Sequence, residues 1–333
     1  MSAATGQTRK IRVAVVGTGE FGRNHARVYR ELEGAELVGV FDTDETRARA
    51  VASEFQTQVF HGLEELGERA VAVSVAVPTV DHASVGCRLL EMGLDVLVEK
   101  PMAVNLAEAD ALLNAAKRRQ RILQVGHVER FNPAVMAIEP ILNRPLFFEV
   151  HRVGVFTPRS LDVDVIYDLM IHDLDILLAL VREPVDEVKA VGIPVLTDKV
   201  DIAHARLEFS GGAVANITAS RVSTERVRKM RFFQQHEYIS LDYARRDALR
   251  IGVKKAGPQP EFAFEKLPAQ SVEPLHAELE AFVDAVRTRR EPRTNGAAGR
   301  AALELAGRVM ASIQEHAARV QIGAFAAQSK AEK

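Results

Sequence analysis

Short apolar runs alternate with stretches of helical period through the first third of the chain. Ile11–Val16, Glu36–Phe41, Ala72–Val77, Asp95–Val98 and Ile122–Val125 read as strands. Between them, the patterns at Glu20–Leu32, Asp44–Phe55, Val80–Met92 and Leu106–Arg119 predict helices. Strands that alternate with helices of this length predict a parallel sheet covered on both faces. After His127 the rhythm changes. Leu146–Val153 reads as a strand and Val165–Val181 as a long apolar helix, followed by strands at Val185–Ile193, Ile202–Phe209, Ala213–Arg221, Arg228–Phe233, Tyr238–Asp242 and Ala248–Val253. Two helices close the pattern, Glu273–Arg289 and Ala297–Ala318.

The expected fold is therefore α/β: an N-terminal Rossmann domain over residues 1–127, then an α+β domain over 128–333 with a mostly antiparallel open sheet. No repeat or low-complexity linker marks the boundary, which rests on the change of pattern alone. The small polar tail after Phe325 reads as a frayed end.

With 47% hydrophobic and 26% charged residues, the 333-residue chain has the composition of a globular protein. Its 43 basic and 45 acidic side chains nearly cancel, which argues against nucleic acid or an anionic membrane as partner. No stretch has the length of a signal-peptide core or a membrane span. Cys87 is the only cysteine, so no internal disulfide forms, and the cytoplasm is the expected compartment. A zinc-dependent dehydrogenase is a poor fit, because the 10 histidines form no ligand spacing with that single thiol, and no metal is expected.

The chemistry begins at Gly17-Thr18-Gly19-Glu20-Phe21-Gly22, a GxGxxG run between a strand and a helix. There the first glycine permits a tight turn, the second lets backbone approach a pyrophosphate, and the third lets helix and strand pack closely. Asp42, at the end of the next strand, can accept hydrogen bonds from both ribose hydroxyls. That favours NAD; Arg47 and Arg49 nearby keep NADP open.

Two further elements point to a reacting centre. Lys100, in Glu99-Lys100-Pro101, follows a parallel strand at the edge where ligands bind, and Pro101 fixes the chain behind it. Asp168, His172 and Asp175 fall at i, i+4 and i+7, one helix face, where a carboxylate can orient an imidazole for proton transfer.

On these residues the sequence resembles the glucose-fructose oxidoreductase/inositol dehydrogenase (Gfo/Idh/MocA) family over nearly its whole length. The resemblance implies that Lys100, Asp168 and His172 flank the nicotinamide and act in catalysis and substrate binding. It also implies that Pro78, Thr79, His82, Glu99 and Lys100 join Gly17–Gly22 and Asp42 around the cofactor. Gly126–Pro133 and Asp168–Asp175 are most similar to the UDP-N-acetylglucosamine 3-dehydrogenases, which implies oxidation of a sugar 3-hydroxyl to a ketone, with Glu129 and Arg130 lining the substrate pocket. Inositol dehydrogenases differ from this chain in carrying a basic residue where Glu129 stands. In the implied reaction Lys100 or His172 takes the hydroxyl proton. The alternatives are a dehydrogenase of free cyclitols or hexoses, and a non-catalytic NAD(H) sensor. A homodimer or homotetramer is expected, since an open antiparallel sheet leaves one face for a partner.

Overall fold

A computed structural model describes residues 9–157, 163–254, 261–269 and 271–320. The expected fraying after Phe325 lies outside the described residues. The chain divides into two compact units, the first comprising Met1–Val128 and Val272–Arg300, the second Glu129–Ser271 and the chain from Ala301.

Unit 1 opens with β1 (Ile11–Val16), α1 (Glu20–Glu31), β2 (Ala35–Phe41), α2 (Glu45–Glu54), β3 (Gln58–Val59) and α3 (Leu63–Arg69). It continues with β4 (Ala72–Val75), α4 (Thr79–Glu91), β5 (Asp95–Glu99), α5 (Leu106–Arg119) and β6 (Leu123–Gly126). The six strands are parallel in the order β3-β2-β1-β4-β5-β6. Val13, Val15, Val73, Val75, Val96 and Val98 are wholly buried. Such β-branched runs suit strands covered on both faces. The order reverses between β1 and β4, where chain segments leaving the two strands diverge and open a crevice at their carboxyl ends.

Unit 2 starts with a short 3-10 turn, Val128–Phe131, and α6 (Pro133–Ile138), capped by the Asn132 side chain accepting from the Ala134 N–H at 3.1 Å. Then come β7 (Phe147–Val153), α7 (Ile171–Val181), β8 (Val185–Ile193), β9 (Ile202–Phe209), β10 (Val214–Ser220) and β11 (Val227–Gln234). β12 (Glu237–Asp242), β13 (Asp247–Lys254) and β14 (Glu261–Lys266) complete its sheet. The order of these eight strands is β14-β13-β12-β11-β7-β10-β9-β8, and only β7 and β10 run parallel. Strand alternation sends Phe148 and Val150 of β7, Met230 and Phe232 of β11 and Ala215 and Ile217 of β10 into one core with Leu174 and Leu177 of α7. The opposite face stays open and carries an aromatic patch, with the Phe147 and Phe233 rings 5.7 Å apart and Phe233 and Tyr238 5.2 Å apart.

The second domain is not one continuous block. The chain returns to unit 1 as α8 (Pro274–Thr288), and α9 (Gly296–Arg319) starts there before its later turns join the core of unit 2 through Leu305, Val309 and Ile313. The physical reason is the apolar stripe of α8: Leu279, Phe282, Val283 and Val286 fill the core that Val13, Val15 and Tyr29 leave open. Three elements carry no clear sequence signal: the two-residue β3, the seven-residue α3 and the edge strand β14, whose Phe262 and Phe264 are exposed.

If α8 belongs to the core of unit 1, Phe282→Ala will destabilise that unit by about 3–5 kcal/mol. The chain has no tryptophan, so the check is a urea titration followed by circular dichroism. An unmoved transition would show that α8 does not hold the unit.

Candidate functional site

The glycine loop follows β1, and its three glycines meet three different demands. Gly17 sits at φ +88°, a conformation L side chains rarely adopt, and a Cβ there would lie 2.5 Å from the Ala76 carbonyl oxygen. A Cβ on Gly22 would run into the Gly17 carbonyl, which is the close approach of α1 to its strand. Gly19 is different: a Cβ there would meet no heavy atom of the chain within 4 Å. The space beside it suits a group brought by a ligand. Gly19 is also the N-cap of α1 and supplies no side-chain cap, so the N–H groups of the first turn face outward for an anion. Glu20 and Phe21 form that first turn, and Phe21 is exposed.

Asp42, just beyond β2, closes over this loop. One carboxylate oxygen accepts from the Thr18 N–H at 2.7 Å and its hydroxyl at 2.9 Å, and the other accepts from the Asp44 N–H at 2.8 Å and Arg47 at 3.3 Å. Burial pushes this carboxyl up, but the donors on Thr18, Asp44 and Arg47 outweigh it and hold it below its ordinary value. Asp42 therefore stays ionised.

The Lys100–Pro101 bond is cis. Two histidines brace this turn. His25 of α1, wholly buried, meets Glu99 through Nε2 at 2.9 Å, and the other oxygen of Glu99 accepts from the Lys100 N–H at 3.3 Å. Burial raises the Glu99 carboxyl, yet His25 and Lys100 bring it below the ordinary range. His82 of α4 lies with its two ring nitrogens 2.9 Å from the carbonyls of Pro101 and Val77. Burial lowers its pKa, so the ring is neutral, and its single N–H serves one of the two carbonyls at a time. Both ring nitrogens of His82 face backbone: the residue ties the loop before Pro78 and Thr79, at the start of α4, to the turn at Lys100.

In unit 2, the helix expected over 165–181 is not uniformly α-helical. Ile166–Met170 is a π turn, in which the Ile171 N–H reaches the Ile166 carbonyl, five residues back. Asp168 sits in that wider turn and His172 in the first turn of α7, both half-buried. Asp175, expected on their face, is buried, 3.5 Å from Arg130. The open stripe of three polar groups is thus a pair.

Beneath the pair lies a cluster that the sequence patterns did not reveal. Arg152 of β7 grips Asp173, the neighbour of His172, with two bonds of 2.7 and 2.9 Å, and donates to Glu129 at 2.8 Å. Its guanidinium lies over the Tyr243 ring, 4.8 Å from the centroid. The second oxygen of Glu129 accepts from the Asn132 amide at 3.0 Å. Burial raises the Glu129 carboxyl, but Arg152 and then Asn132 more than compensate and hold it low. Both oxygens of Glu129 are therefore engaged by the protein, and Arg130 faces Asp175. One signal was available for Arg152. Phe148, Val150 and Arg152 share the core-facing row of β7, so an arginine there requires a buried carboxylate.

A parallel sheet of this order, a glycine loop at a helix start and a lysine fixed just beyond the carboxyl end of β5 define a Rossmann-type dehydrogenase. Residues 11–127 match the oxidoreductase family with an NAD-binding Rossmann fold, and residues 149–237 match the GFO/IDH/MocA C-terminal domain. A UDP-N-acetylglucosamine 3-dehydrogenase of Acidithiobacillus ferrooxidans is 38% identical over 309 residues, covering 91% of this chain and 97% of that protein. An inositol 2-dehydrogenase of Rubrobacter xylanophilus is 30% identical over 66% of this chain and 67% of its own length. The solved structure of the Acidithiobacillus ferrooxidans enzyme superimposes with a TM-score of 0.87 at 36% identity, covering 92% of this chain and 98% of the other. The chain belongs to the Gfo/Idh/MocA family of oxidoreductases. Its unit 1 carries the NAD-binding Rossmann domain, and no helix among the described residues is long and apolar enough to cross a membrane.

Arg152→Met would leave Asp173 and Glu129 buried without their cation, at a cost of about 3–5 kcal/mol. The folded-state pKa of Glu129 is depressed, so its contribution to stability is present above the unfolded value of about 4.3 and lost as pH falls through the lower folded value. The penalty of the substitution is therefore largest at neutral pH and shrinks as the stranded Glu129 takes up a proton. Urea midpoints of both proteins at pH 7 and pH 4.5 measure this, and an equal gap at the two pH values would refute it.

Proposed function

We propose that this protein oxidises the 3-hydroxyl of UDP-N-acetylglucosamine to the 3-keto sugar with NAD. The observation that carries this reading is the likeness to the 3-dehydrogenase of Acidithiobacillus ferrooxidans, which runs through both units. The residues of unit 1 fit the cofactor: Gly19 leaves room for a pyrophosphate, α1 offers its N–H groups, and ionised Asp42 suits a ribose. NAD supplies the hydride acceptor. His172 takes the hydroxyl proton, and Asp168, one widened turn before it, keeps the imidazole oriented and basic. Lys100 places its ammonium against the developing alkoxide, and its backbone is held by the cis bond, Glu99 and the His82 brace.

Glu129 and Arg130 shape the substrate side indirectly. They anchor Arg152 and Asp175, the groups that fix α7 beneath His172. The open face of the unit 2 sheet, with Phe147, Phe233, Tyr238 and exposed Phe264, supports self-association of this chain. A dimer or larger species in light scattering, reduced by Phe233→Glu, is the expected result, and a wild-type monomer at micromolar concentration would end that assignment.

Purified protein given NAD and UDP-N-acetylglucosamine is expected to form NADH, seen by absorbance, and a product two hydrogens lighter, seen by mass. His172→Ala should lower kcat by about 10²–10⁴-fold, and NADH affinity should remain. Wild-type protein that binds NADH and yields neither signal would overturn the substrate assignment.

A further inference from the structure

Arg228 is a second arginine on the core-facing side of the unit 2 sheet. β11 pairs with β7 so that Arg228 stands directly opposite Arg152. Both side chains project to the same face, because Arg228 continues the row of Met230 and Phe232 as Arg152 continues that of Phe148 and Val150. Like charges directly across an antiparallel pair destabilise a sheet. Arg152 is compensated in full by Asp173 and Glu129. Arg228 is half-buried and, among the described residues, its guanidinium makes no hydrogen bond or ion pair.

Of the other cations of this stretch, Arg226 is exposed and the rest have partners. Arg221 is buried, donates to the Val163 carbonyl and lies 3.6 Å from Asp201. Lys229 faces Asp242 at 3.6 Å and Arg231 faces Glu149 at 2.5 Å, both on the open face of the sheet. Arg228 alone turns inward toward the polar layer below His172 and stays unpaired. Burial and the charges of Arg152 and Arg226 push its guanidinium below the ordinary value, and Glu129 and Asp173 oppose them. It remains charged, because no arginine loses its proton at these pH values. Two guanidinium groups, Arg152 and Arg228, thus stand beside two carboxylates whose oxygens are already taken by Arg152 and Asn132. A planar fork of N–H donors in a partly dry setting calls for an oxyanion.

We propose that Arg228 binds the diphosphate of a nucleotide-sugar substrate. This rests on the nucleotide-sugar reading above and adds to it the residue that separates such a substrate from a free sugar. A diphosphate supplies a charged acceptor for the donors that Arg228 leaves unengaged and paired oxygens that match the guanidinium fork, whereas a free hexose or cyclitol supplies neither.

The test is isothermal titration of UDP into the NADH-bound protein, wild type against Arg228→Met, with kinetics on UDP-N-acetylglucosamine alongside. UDP affinity is expected to fall about tenfold or more, and KM to rise similarly with kcat changing less, as for an interaction made equally in ground and transition states. Arg228→Lys, which keeps charge but loses the fork, should fall between the two. An unchanged NADH affinity reports that a variant is folded, and Arg228→Gln gives the same reading if the Met variant is not. UDP affinity equal in wild type and Arg228→Met, or a wild type that binds neither UDP nor pyrophosphate, would overturn the proposal. UDP binding that depends on Arg228 without turnover of UDP-N-acetylglucosamine sustains the phosphate contact and removes the sugar assignment. Turnover that is indifferent to Arg228 does the reverse.

Discussion

A guanidinium or carboxylate taken out of water costs several kcal/mol unless the protein returns its lost hydrogen bonds. The arrangement of both units follows from where that requirement is met. In unit 2, Arg152 sits at the end of an apolar row and cannot reach water, so it draws in Asp173 from α7 and Glu129 from the turn before α6. Three segments distant in sequence are thereby fixed to one another, and the side chain next to Asp173 is His172. In unit 1, the half-buried Glu99 is met by His25, and Asp42 by Thr18. Each of these pairs joins elements distant in sequence beside a candidate site residue.

The same requirement explains why an anchored charge and an unanchored one read alike in a sequence. The family resemblance implied Glu129 and Arg130 as residues of the substrate pocket, and in the folded chain Glu129 also accepts from Arg152 and Arg130 lies 3.5 Å from Asp175. The identity of a buried partner is a long-range fact, set here by contacts 23 and 45 residues apart. Periodicity within one element contains no record of it. Only the register of β7, which turns Arg152 inward with Phe148 and Val150, announces that a carboxylate is needed, without saying which.

The fold was more legible than the site because its signals are local. Apolar runs placed the strands of the parallel sheet other than β3 within a residue or two. Local signals failed where an element is too short or too exposed to carry a pattern, as in β3, α3 and β14. They failed differently at α8. An amphipathic stripe states that a helix buries Leu279, Phe282 and Val283, and is silent about which core receives them. The π turn at Ile166–Met170 escaped for a related reason, since one extra residue in a turn leaves an apolar segment looking helical throughout.

The two units also differ in what their sites are made of. The nucleotide loop is built from backbone: Gly17 must hold a positive φ, Gly22 must let two main chains touch, and Gly19 must leave room. The demands at Gly17 and Gly22 exclude other residue types, so that part of the motif is readable and tolerates little change. The layer under His172 is built from side chains, and a charge pair can be satisfied by several geometries and several residues. A side-chain pair can therefore change by exchanging one partner while the nucleotide loop, whose constraint falls on the main chain, stays as it is.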